Sequence, residues 1–431
     1  MRAWILIVAV LGACKPSGEQ RPAAATPPTD AAGTRPRSDA AVAATALPAC
    51  TQKVKFEVLP PGPIKGSGKL DGNELFVGSL TGAHYNLDTY DVSARKWQRL
   101  PGVDLGAKEE RTHFSHFLTK KSLILATEVK ADHWVARRYD RASHRWSEPA
   151  NTPASPSDYL EWAIDDTFVL LPLRCLRQPE RTLLLRGNRF DSVPTTFTLH
   201  APPDIQVVAG KLVMWGGPAN EKPKADAGCK VGDAHATEGV VLDPATAKWT
   251  PMASGPPALA DISGFSAGRY MFVYGRVGGK VVLWRYDVAT NAWKEVGELP
   301  SSFAAQTILT ANDVAQLGST VVFNHPGSAP AQVVIDTEAG TLRTSQGLPV
   351  SPAAFVAIDK THVLLIPESA ATATAYIEDV DTLTWCELPW NDRAPFYQRD
   401  KTAFIGLAKS VGDKLLVWLD GQAEGYLATF Q

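Results

Sequence analysis

From residue 51 onward the chain alternates short apolar runs with short polar breaks, and sustained helical periodicity is absent. Leu123–Thr127 (LILAT), Phe168–Leu171 (FVLL), Lys211–Trp215 (KLVMW), Tyr270–Tyr274 (YMFVY) and Leu415–Trp418 (LLVW) show the pattern. Each run is rich in β-branched and aromatic residues and is bounded by Gly, Pro, Asp or Asn, which reads as a β-strand. Many such strands at regular spacing predict an all-β sandwich, barrel or propeller.

An internal repeat chooses among these. Asp91, Asp140, Asp243, Asp287 and Asp379 each stand six positions before a tryptophan, namely Trp97, Trp146, Trp249, Trp293 and Trp385. Asp336 stands at the same distance before Leu342. The spacing predicts a hairpin between a third and a fourth strand. The Asp carboxylate ends one strand and holds the turn backbone. The Trp lies on the returning strand and packs between neighbouring sheets. Proline, as in Leu100-Pro101 and Leu388-Pro389, then terminates that strand.

This pattern resembles the kelch repeat, each unit of which is one four-stranded propeller blade. The resemblance covers most of residues 51–431. It departs from the usual repeat in mostly lacking the Gly-Gly pair after the second strand: Gly216-Gly217 directly follows the KLVMW run, and Gly275 is a partial echo. Phe56 and Phe190 stand four before Pro60 and Pro194, as Trp97 stands before Pro101, and complete the set of anchors. Anchors at 56, 97, 146, 190, 249, 293, 342 and 385 predict eight blades, with seven the alternative if one anchor is misread. Strands near 403–408, 414–419 and 424–430 leave the last blade one short, so residues 53–58 (KVKFEV) are expected to close the ring.

The N-terminus has a different composition. Arg2 precedes the apolar stretch Trp4–Leu11, too short to span a bilayer but suited to a signal-peptide core. It ends in Leu11-Gly12-Ala13-Cys14, which resembles the bacterial lipobox. That resemblance implies a signal peptide over 1–13, lipidation (palmitate) of Cys14 and anchoring in the cell envelope. Lys15 is not the Asp that retains some lipoproteins in the inner membrane, which points to the outer membrane. Residues 14–49, rich in Ala, Pro, Thr and Asp, read as a disordered tether, leaving 50–431 for the propeller.

Four cysteines remain in an exported domain, which favours disulfides. In the propeller reading Cys175 and Cys229 follow the second strands of consecutive blades. Cys386 adjoins the Trp385 anchor, and Cys50 precedes the closing strand. The expected pairs are therefore 175–229 and 50–386, with four free thiols the alternative.

Net charge is −2, or −3 without Arg2, so bulk charge gives no drive toward nucleic acid. H-E-x-x-H and phosphate-cradling glycine loops are absent from the sequence, and the G-x-S-x-G match at Gly264–Gly268 (GFSAG) runs into the strand-like YMFVY rather than a helix, so it is no nucleophile elbow. His113 and His116, three apart, would fall on opposite faces of a strand. The insertion 218–238 gathers Asp226, Asp233, His235 and Glu238, which reads as a solvated loop more readily than as a metal site. Glu161 and Trp162 are placed on the innermost strand of the third blade. Kelch-type propellers include copper-radical sugar oxidases and a sialic-acid epimerase, so a carbohydrate-active enzyme is one alternative and an envelope scaffold another. With no catalytic residue, metal or cofactor assigned, the expectation is a secreted, monomeric, membrane-anchored module for protein binding or glycan binding.

Overall fold

The apolar runs become the middles of second strands in eight four-stranded antiparallel sheets, and they are nearly continuous in apolar residues because both of their faces are covered. Leu75–Val77, Leu123–Ala126, Phe168–Leu171 and Leu415–Trp418 are all essentially inaccessible to solvent. The computed structural model describes residues 47–105, 113–130, 133–153, 158–174, 178–179, 181–195, 197–199, 203–216, 235–303, 314–325, 330–348, 350, 352–367, 374–389, 405–419 and 423–430. The chain parts into two units, Met1–Leu47 and Pro48–Gln431, and the second carries every described strand.

Each sheet is one blade, its strands paired in chain order from centre to rim. Blade 1 comprises Ser67–Asp71, Glu74–Thr81, His84–Asp91 and Lys96–Asp104. Blade 2 comprises His113–Leu118, Ser122–Lys130, His133–Asp140 and a broken rim of Arg145–Trp146 and Ala150–Asn151. Blade 3 comprises Asp158–Ile164, Thr167–Arg174, Arg181–Arg186 and Arg189–Pro194. Blade 4 comprises Asp204–Val208, Lys211–Trp215, Gly239–Asp243 and Lys248–Pro251. Blade 5 comprises Ala260–Ala267, Tyr270–Val277, Lys280–Asp287 and Ala292–Leu299. Blade 6 comprises Val314–Leu317, Thr320–His325, Ala331–Asp336 and Thr341–Gln346. Blade 7 comprises Pro352–Ala357, His362–Pro367, Thr374–Asp379 and Thr384–Pro389. Blade 8 takes three strands from the C-terminus, Ile405–Val411, Lys414–Leu419 and Gly425–Phe430, and its rim strand, Val54–Val58, from the other end of the chain.

First strands of neighbouring blades approach one another, and Ile405–Val411 of blade 8 meets Ser67–Asp71 of blade 1. The sheets therefore form a closed eight-bladed β-propeller. Its apolar cores lie between blades: Leu416, Trp418 and Leu427 of blade 8 pack on Leu75, Val77 and Tyr90 of blade 1. Each such side chain contributes roughly 1.5–3 kcal/mol by leaving water.

The Asp-to-anchor hairpins share one turn. The carboxylates of Asp91, Asp243, Asp287, Asp336 and Asp379 accept hydrogen bonds from the backbone N–H groups two and three residues on, and Asp140 accepts from that of Ser143. The fourth residue after the Asp is left-handed in all six: Arg95, His144, Ala247, Asn291, Gly340 and Leu383 have φ between 52° and 64°. On the returning strand the Trp reaches the preceding blade. The indole Nε1–H groups of Trp97, Trp146 and Trp293 donate to the carbonyls of Pro60, Pro101 and Ala253 at 2.9, 2.7 and 3.2 Å. Trp249 donates to Thr182 Oγ1 at 3.2 Å.

Arginines fasten the seams in the other direction. Arg186, Arg285 and Arg343 each donate to carbonyls one and two residues after the turn Asp of the following blade: Pro244 and Ala245, Thr337 and Glu338, Val380 and Asp381.

Two expectations are corrected. Pro101 does not end its strand: blade 1's rim continues to Asp104, and a register shift between Tyr85 and Leu87 absorbs the irregularity. The insertion 218–238 is not all loop, because His235–Thr237 forms a strand parallel to Phe197–Leu199.

Candidate functional site

Antiparallel strands alternate direction, so connections between first and second strands and between third and fourth strands emerge on one face. Second-to-third and blade-to-blade connections emerge on the other. The first face is uniform, its first-to-second turns being 72–73, 119–121, 165–166, 209–210, 268–269, 318–319, 358–361 and 412–413. Its third-to-fourth turns run no longer than 92–95 or 380–383. The second face holds the variation: second-to-third connections range from 82–83 and 278–279 to the segment between Trp215 and Gly239.

Among the described residues, elaboration on that face concentrates on blades 3 and 4. Gln178–Pro179 pairs back on the end of Thr167–Arg174. Phe197–Leu199, leaving blade 3, pairs in parallel with His235–Thr237, entering the third strand of blade 4. This small sheet is held by its own apolar residues: the Phe197 ring lies 5.0 Å from that of Trp249, and Leu199 is buried in the core between blades 3 and 4. Glu238 then accepts a hydrogen bond from Gly255 N at 2.6 Å, fixing the end of the insertion to the blade 4–5 connection.

At the same end of the inner strands stands Asp204. Burial pushes its carboxyl up to about 6, against the opposing pull of hydrogen bonds from Gln206 and the Ile205 N–H. Gln206 Nε2 donates to Asp204 at 2.7 Å and to Gly264 O of blade 5 at 3.2 Å. In blade 2, His116 Nδ1 lies 3.1 Å from the Tyr85 hydroxyl of blade 1. Burial first, then the charge of Lys69, pull the imidazole down to about 3, while burial raises the Tyr85 phenol. Near neutral pH the pair is an uncharged hydroxyl hydrogen-bonded to an uncharged imidazole, a contact across the seam between blades 1 and 2.

The anticipated residues are distributed as follows. The anchors Trp97, Trp146, Trp249, Trp293, Leu342 and Trp385 all stand on rim strands and the six Asp residues at the turns before them. Cys50 and Cys386 are joined by a disulfide. Cys14, Cys175, Cys229, Asp226 and Asp233 lie outside the described residues. His113 and His116 sit on one inner strand, three positions apart. Glu161, on the inner strand of blade 3, accepts a hydrogen bond from Ser115 of blade 2, and Trp162 packs against the blade 3–4 core. Among the described residues no three His, Cys, Asp or Glu side chains gather as a metal site, and no helix is long and apolar enough to cross a membrane.

Sequence reasoning missed Asp204, the buried Glu378 and the parallel pair over blades 3 and 4. An acidic residue inside an otherwise apolar strand, as in Thr374–Asp379 (TAYIED), was the available signal for Glu378.

The fold and this loop-bearing face define an eight-bladed β-propeller with one uniform and one elaborated surface. No family model matches the chain, and no curated protein matches it. Among solved structures, the crystal structure of Saccharomyces cerevisiae Sqt1 is similar with a TM-score of 0.43 and 9% identity, covering 90% of this chain and 100% of that chain. The eight-blade assignment rests on the strand pairing described above.

Proposed function

We propose that this protein is a membrane-anchored binding module of the cell envelope. In this reading residues 1–13 are a signal peptide, Cys14 carries the lipid, and 14–49 tether a kelch-type propeller that meets a protein or glycan partner through its elaborated face. The observation that carries the reading is the asymmetry of the two faces: one has only tight turns, while the other bears every long excursion and a two-strand sheet built from two separate connections. A rigid ring presenting variable connections on one side is the arrangement binding proteins use. The Asp-to-anchor turns, alike in all six copies, support the kelch-type assignment. The register of the apolar core with Leu11-Gly12-Ala13-Cys14 supports the anchor.

Two experiments test this. Metabolic labelling with a palmitate analogue should mark the wild type and not Cys14→Ala; equal labelling would refute the anchor. For the binding face, residues 218–234 are replaced by a short Gly-Ser link, sparing the strand His235–Thr237 and Glu238. Capture of partners from envelope extract should fall while the melting temperature holds. Undiminished capture, together with loss on altering the opposite face, would refute the choice of surface.

A further inference from the structure

We propose that the Cys50–Cys386 bond is a load path that keeps tension on the N-terminal segment away from the strand that closes the ring. The observation is the order of attachments along the first residues of the propeller. Pro48–Cys50 are stitched onto the rim of blade 7, not blade 8. Cys50 N donates to Glu387 O at 2.8 Å, Glu387 N donates to Pro48 O at 2.8 Å, and Ala49 pairs with Glu387 in parallel. The disulfide fixes the same point covalently to Cys386. Only after residues 51–53 does the chain reach Val54–Val58, which completes blade 8 against Gly425–Phe430.

Without the bond, a pull arriving at residue 47 would break the two backbone hydrogen bonds at Glu387 and then load Val54, the first pair of the closing strand, opposite Phe430. That strand would then peel one backbone pair at a time and unpair the edge Gly425–Phe430. With the bond intact, the force passes through sulfur into Cys386. This residue lies mid-strand in Thr384–Pro389, which is paired along its length with Thr374–Asp379 and held by the buried side chains of Trp385 and Leu388. Residues 51–58 then lie beyond the point of load. The ring is closed by one short strand and guarded by one covalent bond immediately before that strand in the chain.

Reduction removes the guard. A dithiol reductant supplies the thiolate that attacks one sulfur, and its second thiol resolves the mixed disulfide. Two protein thiols and one oxidised, cyclic reductant result. The source of tension rests on the anchoring proposed above, but the load path is a property of the folded domain and is tested without a membrane.

The test is single-molecule pulling on the full chain between a peptide tag inserted at residue 30 and a second tag in the turn at Gly268, where even a Cβ would meet no other atom within 4 Å. Releasing residues 51–66 lengthens the tether by about 50 Å at the ~3.3–3.6 Å per residue of extended chain. The oxidised molecule should show no step of that size before blade 7 itself gives way. The same molecule after reduction, and separately Cys50→Ser and Cys386→Ser, should show a reversible ~50 Å step at lower force. A matching step at the same force in the oxidised molecule, or none in the reduced one, would overturn the proposal. So would global unfolding on reduction at zero force, since the bond would then hold the ring itself. Failure of Cys14 to take up lipid would leave these outcomes unchanged, so the two readings fail separately.

Discussion

Glu378 offers the sharpest quantitative test of the seams between blades. It lies on the third strand of blade 7, wholly inaccessible to solvent, and neither carboxyl oxygen completes a hydrogen bond of good geometry. The groups facing it are Gln332 across the seam, Arg343 from the rim of blade 6 and Asp379 beside it. The Arg343 guanidinium is already engaged by the carbonyls of Val380 and Asp381. Burial, reinforced by the Asp379 charge and only partly offset by Gln332 and Arg343, pushes the carboxyl from 4.5 up to about 8. The folded protein therefore keeps this proton up to about pH 8, while the unfolded chain releases it near 4.5. The folded state binds more protons across that window, so its stability falls as pH rises from 4.5 to 8 and levels off above. At 1.36 kcal/mol per pH unit the full loss is about 4–5 kcal/mol. Glu378→Gln keeps the shape and removes the titration. In urea unfolding of wild type and variant, the stability difference should be small and flat below pH 4.5, then grow in favour of the variant to several kcal/mol by pH 8. A difference that stays constant across this range would show that Glu378 is hydrated or paired in the native state, and the seam as described would be wrong.

Other perturbations follow from packing and pairing. Gly78→Ala would place its Cβ 1.9 Å from the Tyr85 hydroxyl and 3.1 Å from His116 Nδ1, and the fully buried Tyr85 cannot retreat. It should cost ~1–3 kcal/mol, seen as a melting-temperature drop, and break the Tyr85–His116 contact. A chain starting at residue 61 loses both the closing strand and the disulfide, exposes the edge Gly425–Phe430, and should aggregate or melt far below the full domain. Deleting 15–45 should leave the melting temperature unchanged. Reducing the 336-residue loop closed by Cys50–Cys386 should lower stability by ~5 kcal/mol at most, measured by denaturation with and without reductant. Non-reducing peptide mapping should also recover a 175–229 link, and peptides joining 50 to 175 or 229 to 386 would contradict the proposed pairing.

Much of the ring was legible because its determinants are local. Runs such as Phe168–Leu171 announce strands covered on both faces, and the six-residue interval from Asp to Trp is the length of one turn whose geometry repeats. The shortage of strands after Trp385 pointed to Val54–Val58 as the missing rim. What escaped notice depends on which blade comes next. Arg186, Arg285 and Arg343 look like ordinary surface arginines until the following turn is set beside them. The left-handed residue after each turn is hidden because only Gly340 among the six is a glycine. Phe197–Leu199 and His235–Thr237 are three-residue strands far apart in sequence, too short to signal a pairing. Pro101 misled because a bulge lets a rim strand carry a proline without ending.

The binding face can be tested directly by photo-crosslinking in cells. A photoreactive residue is placed singly at Asp104 or Lys280 on the elaborated face, and at Lys121 or Arg189 on the uniform face. All four side chains are at least 65% exposed and stand at strand ends or turns. Asp104 and Lys280 should yield discrete crosslinked species on irradiation, and Lys121 and Arg189 should yield none. Crosslinks confined to Lys121 and Arg189 would contradict it.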